Sequence, residues 1–321
     1  MTRRISLAWL ALVLAVLLLF PLAADKFYLQ LVTKIMIMAI FALSLDLLVG
    51  YTGLVSLGHA AYFGIAAYTF ALVAQWADSV NFWLTLAFSL GASAIAALLI
   101  GALVVRTSGV YFIMVTLAFA QMVYYFFHDT RVAGGSDGIY IDSRPRAFLP
   151  GVDLASDLHF YYLVLGALAG VFALLTVVLR SPLGRALQGI KVNESRMRAL
   201  GFPTQRYKLA ACVVAGTLAG LAGYLAAAKE GYVNPEMIAW HQSGSVLMMV
   251  ILGGMGSLFG AILGTFSYIL LQEWFSTLTK HWPLLIGSFI VAVVLLLPQG
   301  LISLPALLSR RRADNADSDH D

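Results

Sequence analysis

The stretch YLQLVTKIMIMAIFALSLDLLV, residues 28–49, decides the fold because it is almost entirely apolar and carries charge only at Lys34 and Asp46. A transmembrane helix needs about 20 predominantly apolar residues, so this stretch predicts one. Comparable runs occupy residues 6–24, 54–76, 82–105, 109–128, 159–179, 209–229, 241–256, 257–277 and 282–308. The sequence predicts an all-α, polytopic integral membrane helix bundle with eight to ten transmembrane segments, among which the short run 241–256 is a candidate re-entrant helix.

The composition of the chain excludes several classes of protein. Of its 321 residues, 61% are hydrophobic and 11% are charged, whereas an average soluble domain is about 25% charged. A chain this apolar cannot bury all of its hydrophobic residues in the core of a water-soluble domain. The composition therefore excludes a soluble enzyme, a secreted disulfide scaffold and a disordered protein. The single cysteine, Cys212, excludes an internal disulfide and a Cys-based metal site. We expect no metal site.

The basic residues cluster in a way that predicts orientation. Lys and Arg concentrate at residues 3–4, at Arg106, across 180–208 and at 310–312. Short loops with such an excess lie on the cytoplasmic side of a membrane. Ten crossings from a cytoplasmic N-terminus place all four basic regions on that side, so both termini are expected there. The loop 129–158, with five Asp against three Arg, is then expected outside.

One membrane domain is expected, covering residues 1–312, followed by an acidic and disordered cytoplasmic tail at 313–321. Residues 1–24 also have the pattern of a cleavable signal peptide, with two arginines, an apolar run and Leu22-Ala23-Ala24. We favour a retained first helix, because a polytopic membrane protein follows it. Every later loop keeps its side in either case.

Two glycine-punctuated stretches are candidates for broken helices beside a substrate path. GYTGLVSLGH occupies residues 50–59, and GGMGS occupies residues 253–257. Irregular backbone at membrane depth is tolerated only where it is buried in protein or lines a cavity, and discontinuous helices form the sites of many transporters. The candidate path residues are Gly50, Tyr51, Thr52, Gly53, Ser56, Gly58, His59, Gly253, Gly254 and Gly256.

Other glycines recur at intervals of four residues. Small residues at this spacing let helix backbones approach closely, so we expect tight helix packing at these positions. The sets are Gly166 and Gly170, Gly216 and Gly220, and Gly256, Gly260 and Gly264.

Four ionisable residues interrupt the apolar runs, namely Lys34, Asp46, His59 and Glu273. Lys34 and Glu273 lie near predicted outer ends, where snorkelling or a polar interface explains them. Asp46 lies one turn before Gly50 and is expected to bind backbone or a neighbouring helix. His59 either lines a pathway or bonds a carbonyl, and the sequence leaves both open. A relay through Asp46, His59 and Glu273 would instead indicate an ion-coupled secondary transporter that acts alone.

The outer loop contains a G-x-S-x-G sequence at Gly134, Gly135, Ser136, Asp137 and Gly138. In hydrolases this pattern marks a nucleophile in a strand–turn–helix setting, with a partner His and acid. Here it follows an apolar helix, so turn chemistry explains the glycines better than an intramembrane serine hydrolase does. No P-loop sequence is present anywhere in the chain, so ATP is not expected to bind here by that motif.

The basic loop 180–208 has a helix-like middle between breaks at Pro182-Leu183-Gly184 and Gly201-Phe202-Pro203. It is too short and too close to the membrane to suggest nucleic-acid binding, and its charge also suits contact with anionic lipid. The pattern favours a pair of short helices that dock on a soluble partner. Four apolar residues are expected to share one face, namely Leu187, Ile190, Met197 and Leu200.

Several stretches together resemble the permeases of ABC importers for branched-chain amino acids, in the family's order and over nearly the whole chain. They are SLDLLVGYTGLVSLGHAAYFGIAAY (44–68), YFIMVTLAFAQ (111–121), GGSDGI (134–139), SPLGRALQGIKVNESRMRALG (181–201), GYVNPE (231–236), VILGGMGSLFG (250–260) and LPQGL (297–301). The second and third stretches together resemble the LivM type of these permeases.

The resemblance implies a translocation subunit of the bacterial inner membrane that works by alternating access and performs no bond chemistry. Its implied partners are a homologous second permease, two ABC ATPase subunits that bind ATP, a periplasmic binding protein and the lipid bilayer. No cofactor is implied for this chain. The cargo stays open between branched-chain or related amino acids, urea, short amides and aromatic acids.

The resemblance also matches the loop 180–208 to the coupling loop that docks on the ATPase. The implied coupling residues are Arg185, Asn193, Glu194, Ala199, Leu200 and Gly201. The sequence departs from the common pattern, which has two Ala after the Glu and a Gly six residues on. Here Ser195 and Arg196 follow Glu194, and Gly201 is seven residues on.

Overall fold

The structure, a computed structural model, describes residues 15–22, 25–76, 81–141, 154, 156–297 and 299–303. Most of the apolar run 6–24, residues 142–153 of the loop 129–158 and the tail 313–321 lie outside the described residues. The α-helices are α1 (Lys26–Asp46), α2 (His59–Trp76), α3 (Phe82–Val104), α4 (Val110–Asp129), α5 (Asp157–Arg180), α6 (Pro182–Val192), α7 (Glu194–Ala199), α8 (Thr204–Glu230), α9 (Trp240–Gly253), α10 (Leu258–Leu278) and α11 (Trp282–Leu296).

Shorter elements complete the fold. A π-helical turn, Leu47–Thr52, continues α1. Two short strands, β1 (Ile139–Tyr140) and β2 (Tyr232–Val233), pair antiparallel with Ile139 opposite Val233. The 3-10 turns are Phe20–Leu22, Arg131–Ala133, Gly135–Asp137, Pro235–Met237 and Leu301–Ser303. The strand pair ties the loop after α4 to the end of α8.

Helix α1 is the central element of the bundle. Residues Ile35 to Asp46 are all buried, because α5, α8 and α10 surround this part of the helix. Most of these residues are large and apolar, as expected for a helix that is buried on every side. In contrast, α3, α4 and α11 expose wide apolar faces. Faces of that kind are expected where a helix contacts lipid or another membrane subunit.

Glycines set the closest helix contacts. A Cβ on Gly220 would meet Ser93 of α3, and one on Gly264 would meet the backbone of α9 at Met249. The tight packing expected at Gly216–Gly220 and Gly260–Gly264 is therefore confirmed. The same expectation is wrong for Gly166 and Gly170, because a Cβ there would meet open space among the described residues.

Six helices in the described part of the chain are long and apolar enough to cross a membrane, namely α1 with its π turn, α3, α4, α5, α8 and α10. The expected count of eight to ten spans is not confirmed. Helix α9 has 14 residues, about 21 Å at 1.5 Å per residue, which is shorter than the roughly 30 Å hydrocarbon core. The polytopic, all-α architecture with a short glycine-bounded helix is confirmed.

Candidate functional site

The first predicted break lies directly after α1 and has a clear local cause. The backbone widens into the π turn, where Thr52 Oγ1 donates to the Leu47 carbonyl oxygen at 2.9 Å. Gly53 then ends the turn with φ of 76°, a left-handed conformation that favours glycine. Residues 53–58 are not helical, and α2 begins at His59. The helix is therefore interrupted where the glycine pattern predicted.

The second predicted break meets the first one. Asp46 Oδ1 accepts a hydrogen bond of 2.8 Å from the backbone N–H of Gly256. A Cβ on Gly50 would overlap Asp46 Oδ1 and the Gly256 backbone, so only glycine fits between them. Asp46 thus binds backbone, as expected from the sequence, and satisfies a half-buried amide that no helix bonds.

A basic side chain from the loop 180–208 reaches the same place. Lys191, at the end of α6, donates from Nζ to the carbonyl oxygen of Gly50 at 2.5 Å. The carbonyl belongs to the π turn, whose widened backbone offers oxygens that a regular helix would use internally. We call Asp46, Gly50, Gly256 and Lys191 the glycine junction. It links the basic loop to both helix breaks.

The C-terminal part of the second break is packed as closely. Gly254 has φ of 114°, and a Cβ there would meet the carbonyl oxygen of Gln299. A Cβ on Gly253 would meet the Gly260 carbonyl. Four of the stretches that carry the family resemblance, 44–68, 181–201, 250–260 and 297–301, therefore meet around the glycine junction.

The basic loop contains two short helices, as predicted, with α6 and α7 separated at Asn193. The Asn193 side chain accepts from the Arg196 backbone N–H at 2.9 Å and caps α7. Leu187 and Ile190 are buried against the bundle, whereas Leu200 is 67% exposed. The four apolar residues do not share one face, because the chain turns at Asn193.

Glu194 is turned inward rather than toward a partner. Its carboxylate accepts from Lys208 Nζ at 2.5 Å, from Arg198 at 2.7 Å and from Thr204 Oγ1 at 3.1 Å. Partial burial opposes ionisation of Glu194, but the hydrogen bonds and charges of Lys208 and Arg198 outweigh it and hold the pKa of Glu194 below its usual range. Glu194 therefore fastens α7 to the start of α8.

The remaining predicted coupling residues lie on the outside of the loop. Exposed positions are Arg185, Asn193, Ala199, Leu200 and Gly201. Val192 is 84% exposed beside them. Exposed apolar side chains among cations form a surface suited to a protein partner.

His59 is fully buried at the start of α2. Its Nε2 lies 2.9 Å from Ser44 Oγ, and Ser44 donates to the Phe41 carbonyl oxygen at 2.6 Å. Since the serine proton is used there, His59 donates from Nε2, and its Nδ1 has no partner among the described residues. His59 therefore bonds a hydroxyl of α1 rather than a carbonyl.

The non-helical residues 53–58 and the first turn of α2 contact two other helices. Leu57 donates its N–H to Thr116 Oγ1 of α4 at 3.3 Å, and Ala60 donates to Ser243 Oγ of α9 at 2.8 Å. Gly58 touches the Thr116 backbone so closely that a Cβ there would overlap it. Thr116 and Ser243 were missed by sequence reasoning because a lone hydroxyl in an apolar run gives no distinct signal.

The relay residues of the ion-coupled alternative are not brought together. No hydrogen bond joins any two of Asp46, His59 and Glu273 among the described residues. Asp46 instead accepts from the Gly256 backbone, and His59 bonds Ser44 of α1. In the described part of the chain, no cluster of His, Cys, Asp or Glu that could hold a metal ion was found.

The glycines at 134–138 have turn geometry. Gly134, Gly135 and Gly138 have φ of 77°, 60° and 73°. Ser136 Oγ donates to Asp137 Oδ1 at 3.2 Å and has no histidine partner among the described residues. A Cβ on Gly138 would meet the Val233 carbonyl oxygen. Backbone turns beside the strand pair thus account for this sequence.

Comparison with known proteins gives consistent matches. The family described as branched-chain amino acid transport system / permease component matches residues 27–298. The high-affinity branched-chain amino acid transport system permease protein LivM of Salmonella typhimurium is 33% identical over 305 residues, covering 88% of this chain and 71% of the relative. LivM of Escherichia coli is 31% identical over 306 residues, with the same coverage of 88% and 71%. No solved structure matches.

Proposed function

The chain belongs to the family of permease components of branched-chain amino acid transport systems, and on that premise we propose that it is one of two membrane-spanning subunits of an ABC importer for amino acids. It is a multi-pass membrane protein. Branched-chain or related amino acids are the proposed cargo. The proposed location is the bacterial inner membrane, with both termini in the cytoplasm.

One observation carries the mechanism, namely the hydrogen bond from Lys191 Nζ to the Gly50 carbonyl oxygen. An ATP-driven permease needs a contact that passes motion from a cytoplasmic loop to the helices around the path. Lys191 belongs to the loop, and Gly50 belongs to the interrupted central helix. A shift of α6 would therefore pull directly on the π turn.

The proposed division of labour follows. A binding protein outside delivers the amino acid, and this chain pairs with a second, homologous permease. Two ATPase subunits dock on the exposed surface around Val192 and Leu200. ATP moves the assembly only if it binds one conformation better than the other, and the loop carries that difference into the helices. The permease itself performs no bond chemistry and needs no cofactor of its own.

The test is purification of the tagged chain in mild detergent, with mass spectrometry of the proteins that accompany it. We expect two P-loop ATPases and a second polytopic permease, and ATP-dependent uptake of leucine after reconstitution with the binding protein. Leucine uptake by this chain alone, driven by an ion gradient without ATPase subunits, would contradict the proposal and favour ion coupling.

A further inference from the structure

A cavity of about 480 Å³ lies near the other end of α1 from the glycine junction. Its walls include Lys34 of α1, Phe63 of α2, Glu230 at the end of α8 and Gln242 of α9. Lys34 and Asp46 are separated by about 18 Å along the helix at 1.5 Å per residue. We call this space the Lys34 cavity. Its volume falls within the roughly 300–1,000 Å³ range of small-molecule sites.

The charges around the Lys34 cavity are unbalanced. Lys229 Nζ pairs with Glu230 Oε1 at 2.9 Å. Lys34 is exposed although Thr33 and Ile35 on either side of it are buried, and its ammonium has no ion-pair or hydrogen-bond partner in the described part of the chain. An unpartnered charge within an apolar helix is costly and marks a functional position. Snorkelling, the sequence-based explanation, stays a prediction, and the cavity wall on which Lys34 lies adds a place where a ligand can reach the ammonium.

The remaining wall has two further chemical features. Glu230 supplies a carboxylate whose side chain is 48% exposed, so it stays accessible to a cation despite its contact with Lys229. Ile37, Met38 and Phe63 supply an apolar surface beside Lys34. A cation, an anion and an apolar patch therefore surround one small space.

We propose that the Lys34 cavity is a loading site for a zwitterionic α-amino acid with an apolar side chain. Lys34 binds the α-carboxylate, Glu230 binds the α-ammonium, and Ile37, Met38 and Phe63 receive the side chain. Charged hydrogen bonds fix the two polar groups, and burial of the side chain adds a hydrophobic contribution. The inference rests on the proposed function, because the cavity faces the binding protein only if the basic loop faces the cytoplasm.

The proposal distinguishes cargo classes that the family resemblance left open. Urea and neutral amides have no carboxylate and gain nothing from the charge of Lys34. A free amino acid with an aliphatic side chain uses all three parts of the wall. L-Leucine and L-leucinamide, which lacks the carboxylate, are therefore a matched pair of probes.

The experiment uses the complete reconstituted importer with Lys34→Cys. The chain's own thiol, Cys212, is 4% exposed, so within this chain an impermeant methanethiosulfonate reagent added outside modifies the introduced cysteine selectively; the unaltered importer treated with the same reagent is the control for the other subunits. We expect Lys34→Cys to lower uptake at low leucine concentration by about ten- to hundredfold, as for loss of a charged hydrogen bond. A reagent that adds an aminoethyl group restores the positive charge and should restore uptake. A reagent that adds a sulfonatoethyl group should not.

A second readout needs no transport. Excess L-leucine outside should slow modification of the introduced thiol in Lys34→Cys, whereas L-leucinamide should not. Lys280→Cys is the matched control, because Lys280 follows α10 and does not line the cavity. Neither its modification nor its replacement should change uptake.

The outcomes separate this proposal from the proposed function. Uptake by Lys34→Cys that equals that of the unaltered importer, before and after sulfonatoethyl modification, would overturn the loading site. Equal protection by L-leucine and L-leucinamide would also overturn it. If the unaltered importer takes up no amino acid with ATP, it is the proposed function that fails.

Discussion

The two ends of α1 differ in how they use their space. At the glycine junction, Asp46, Gly50 and Gly256 are in direct contact, and a single Cβ would not fit. At the Lys34 cavity, the same helix meets open space and leaves an ammonium without a partner among the described residues. Glycine-rich backbone therefore marks close packing in this molecule, whereas the accessible space is found beside a lysine and several large side chains.

Because of this difference, the two ends of α1 are suited to different functions. A junction without free volume passes displacement from one element to the next, because close-packed contacts transmit strain. An open, charged cavity suits transient binding of a ligand. The predicted path residues at 50–59 and 253–256 stay a prediction. In the conformation described, Gly50 and Gly256 contact each other, and Gly58 and Gly254 contact the backbone of Thr116 and Gln299.

The largest expected effect comes from Gly50→Ala. The added methyl group would overlap Asp46 Oδ1 and the Gly256 backbone. Asp46 Oδ1 can move away only by giving up its hydrogen bond to Gly256, and the Gly256 backbone belongs to the turn that joins α9 to α10. We expect a loss of about 1–3 kcal/mol or more in stability, as for an overpacked core. The thermal unfolding midpoint of the purified assembly measures it.

Gly166→Ala is the matched control, because a Cβ there meets open space. This change in a helix interior is expected to be neutral or to stabilise by up to about 1 kcal/mol. Equal unfolding midpoints for the two variants would contradict the packing contrast between the junction and the rest of the bundle.

A smaller effect is expected at Asp46, where two substitutions distinguish packing from proton relay. Asp46→Ala leaves the Gly256 N–H without its acceptor and should cost about 1–3 kcal/mol. Asp46→Asn keeps an acceptor oxygen and should retain most ATP-driven uptake. Loss of uptake in Asp46→Asn with an unchanged unfolding midpoint would favour a relay.

The smallest effect concerns Glu194. Its pKa is held below the usual range, so its ion pairs stabilise the loop above the pKa that Glu has when unfolded, and this stabilisation is lost as pH falls through the lower, folded pKa. At pH 7, Glu194→Gln should increase amide hydrogen exchange in residues 194–208. The difference from the unaltered chain should vanish on acidification well below about pH 4.

The control for Glu194 is Glu236→Gln. Glu236 is exposed and pairs only with His241, at 3.3 Å between Oε2 and Nε2, among the contacts described. Its replacement should leave exchange in residues 194–208 unchanged at every pH. A difference between Glu194→Gln and the unaltered chain that persists after full acidification would contradict the assigned role of the ion pairs.

Much of the fold could be predicted from the sequence because membrane helices are defined by length and apolar composition. The interruption after Asp46 was also predictable, since Gly50, Gly53 and Gly58 mark a helix end. The number of spans was not, because α11 is apolar but has only 15 residues, and α9 has only 14. Apolarity alone does not say how deeply a short helix enters the bilayer.

The contacts at the site were harder to predict. Asp46 was expected to bind backbone, but nothing in the sequence identified Gly256 as its partner across the chain. The sequence showed Lys191 only as one of several cations in the loop 180–208. Its hydrogen bond to Gly50 depends on how α6 packs against the π turn, which the sequence does not show. Glu194 was implied by the resemblance only as a coupling residue, and its inward position arises from Lys208, one turn into the next helix.

The central claim is that Lys191 couples ATP hydrolysis to the interrupted helix, and the ratio of ATP hydrolysed to leucine transported tests it most directly. In the reconstituted importer, Lys191→Met should keep ATP hydrolysis and subunit assembly while leucine uptake falls about tenfold, which corresponds to about 1.4 kcal/mol of lost coupling. Lys191→Arg, which keeps a donor, should restore part of the uptake. An unchanged ratio in Lys191→Met would contradict the account.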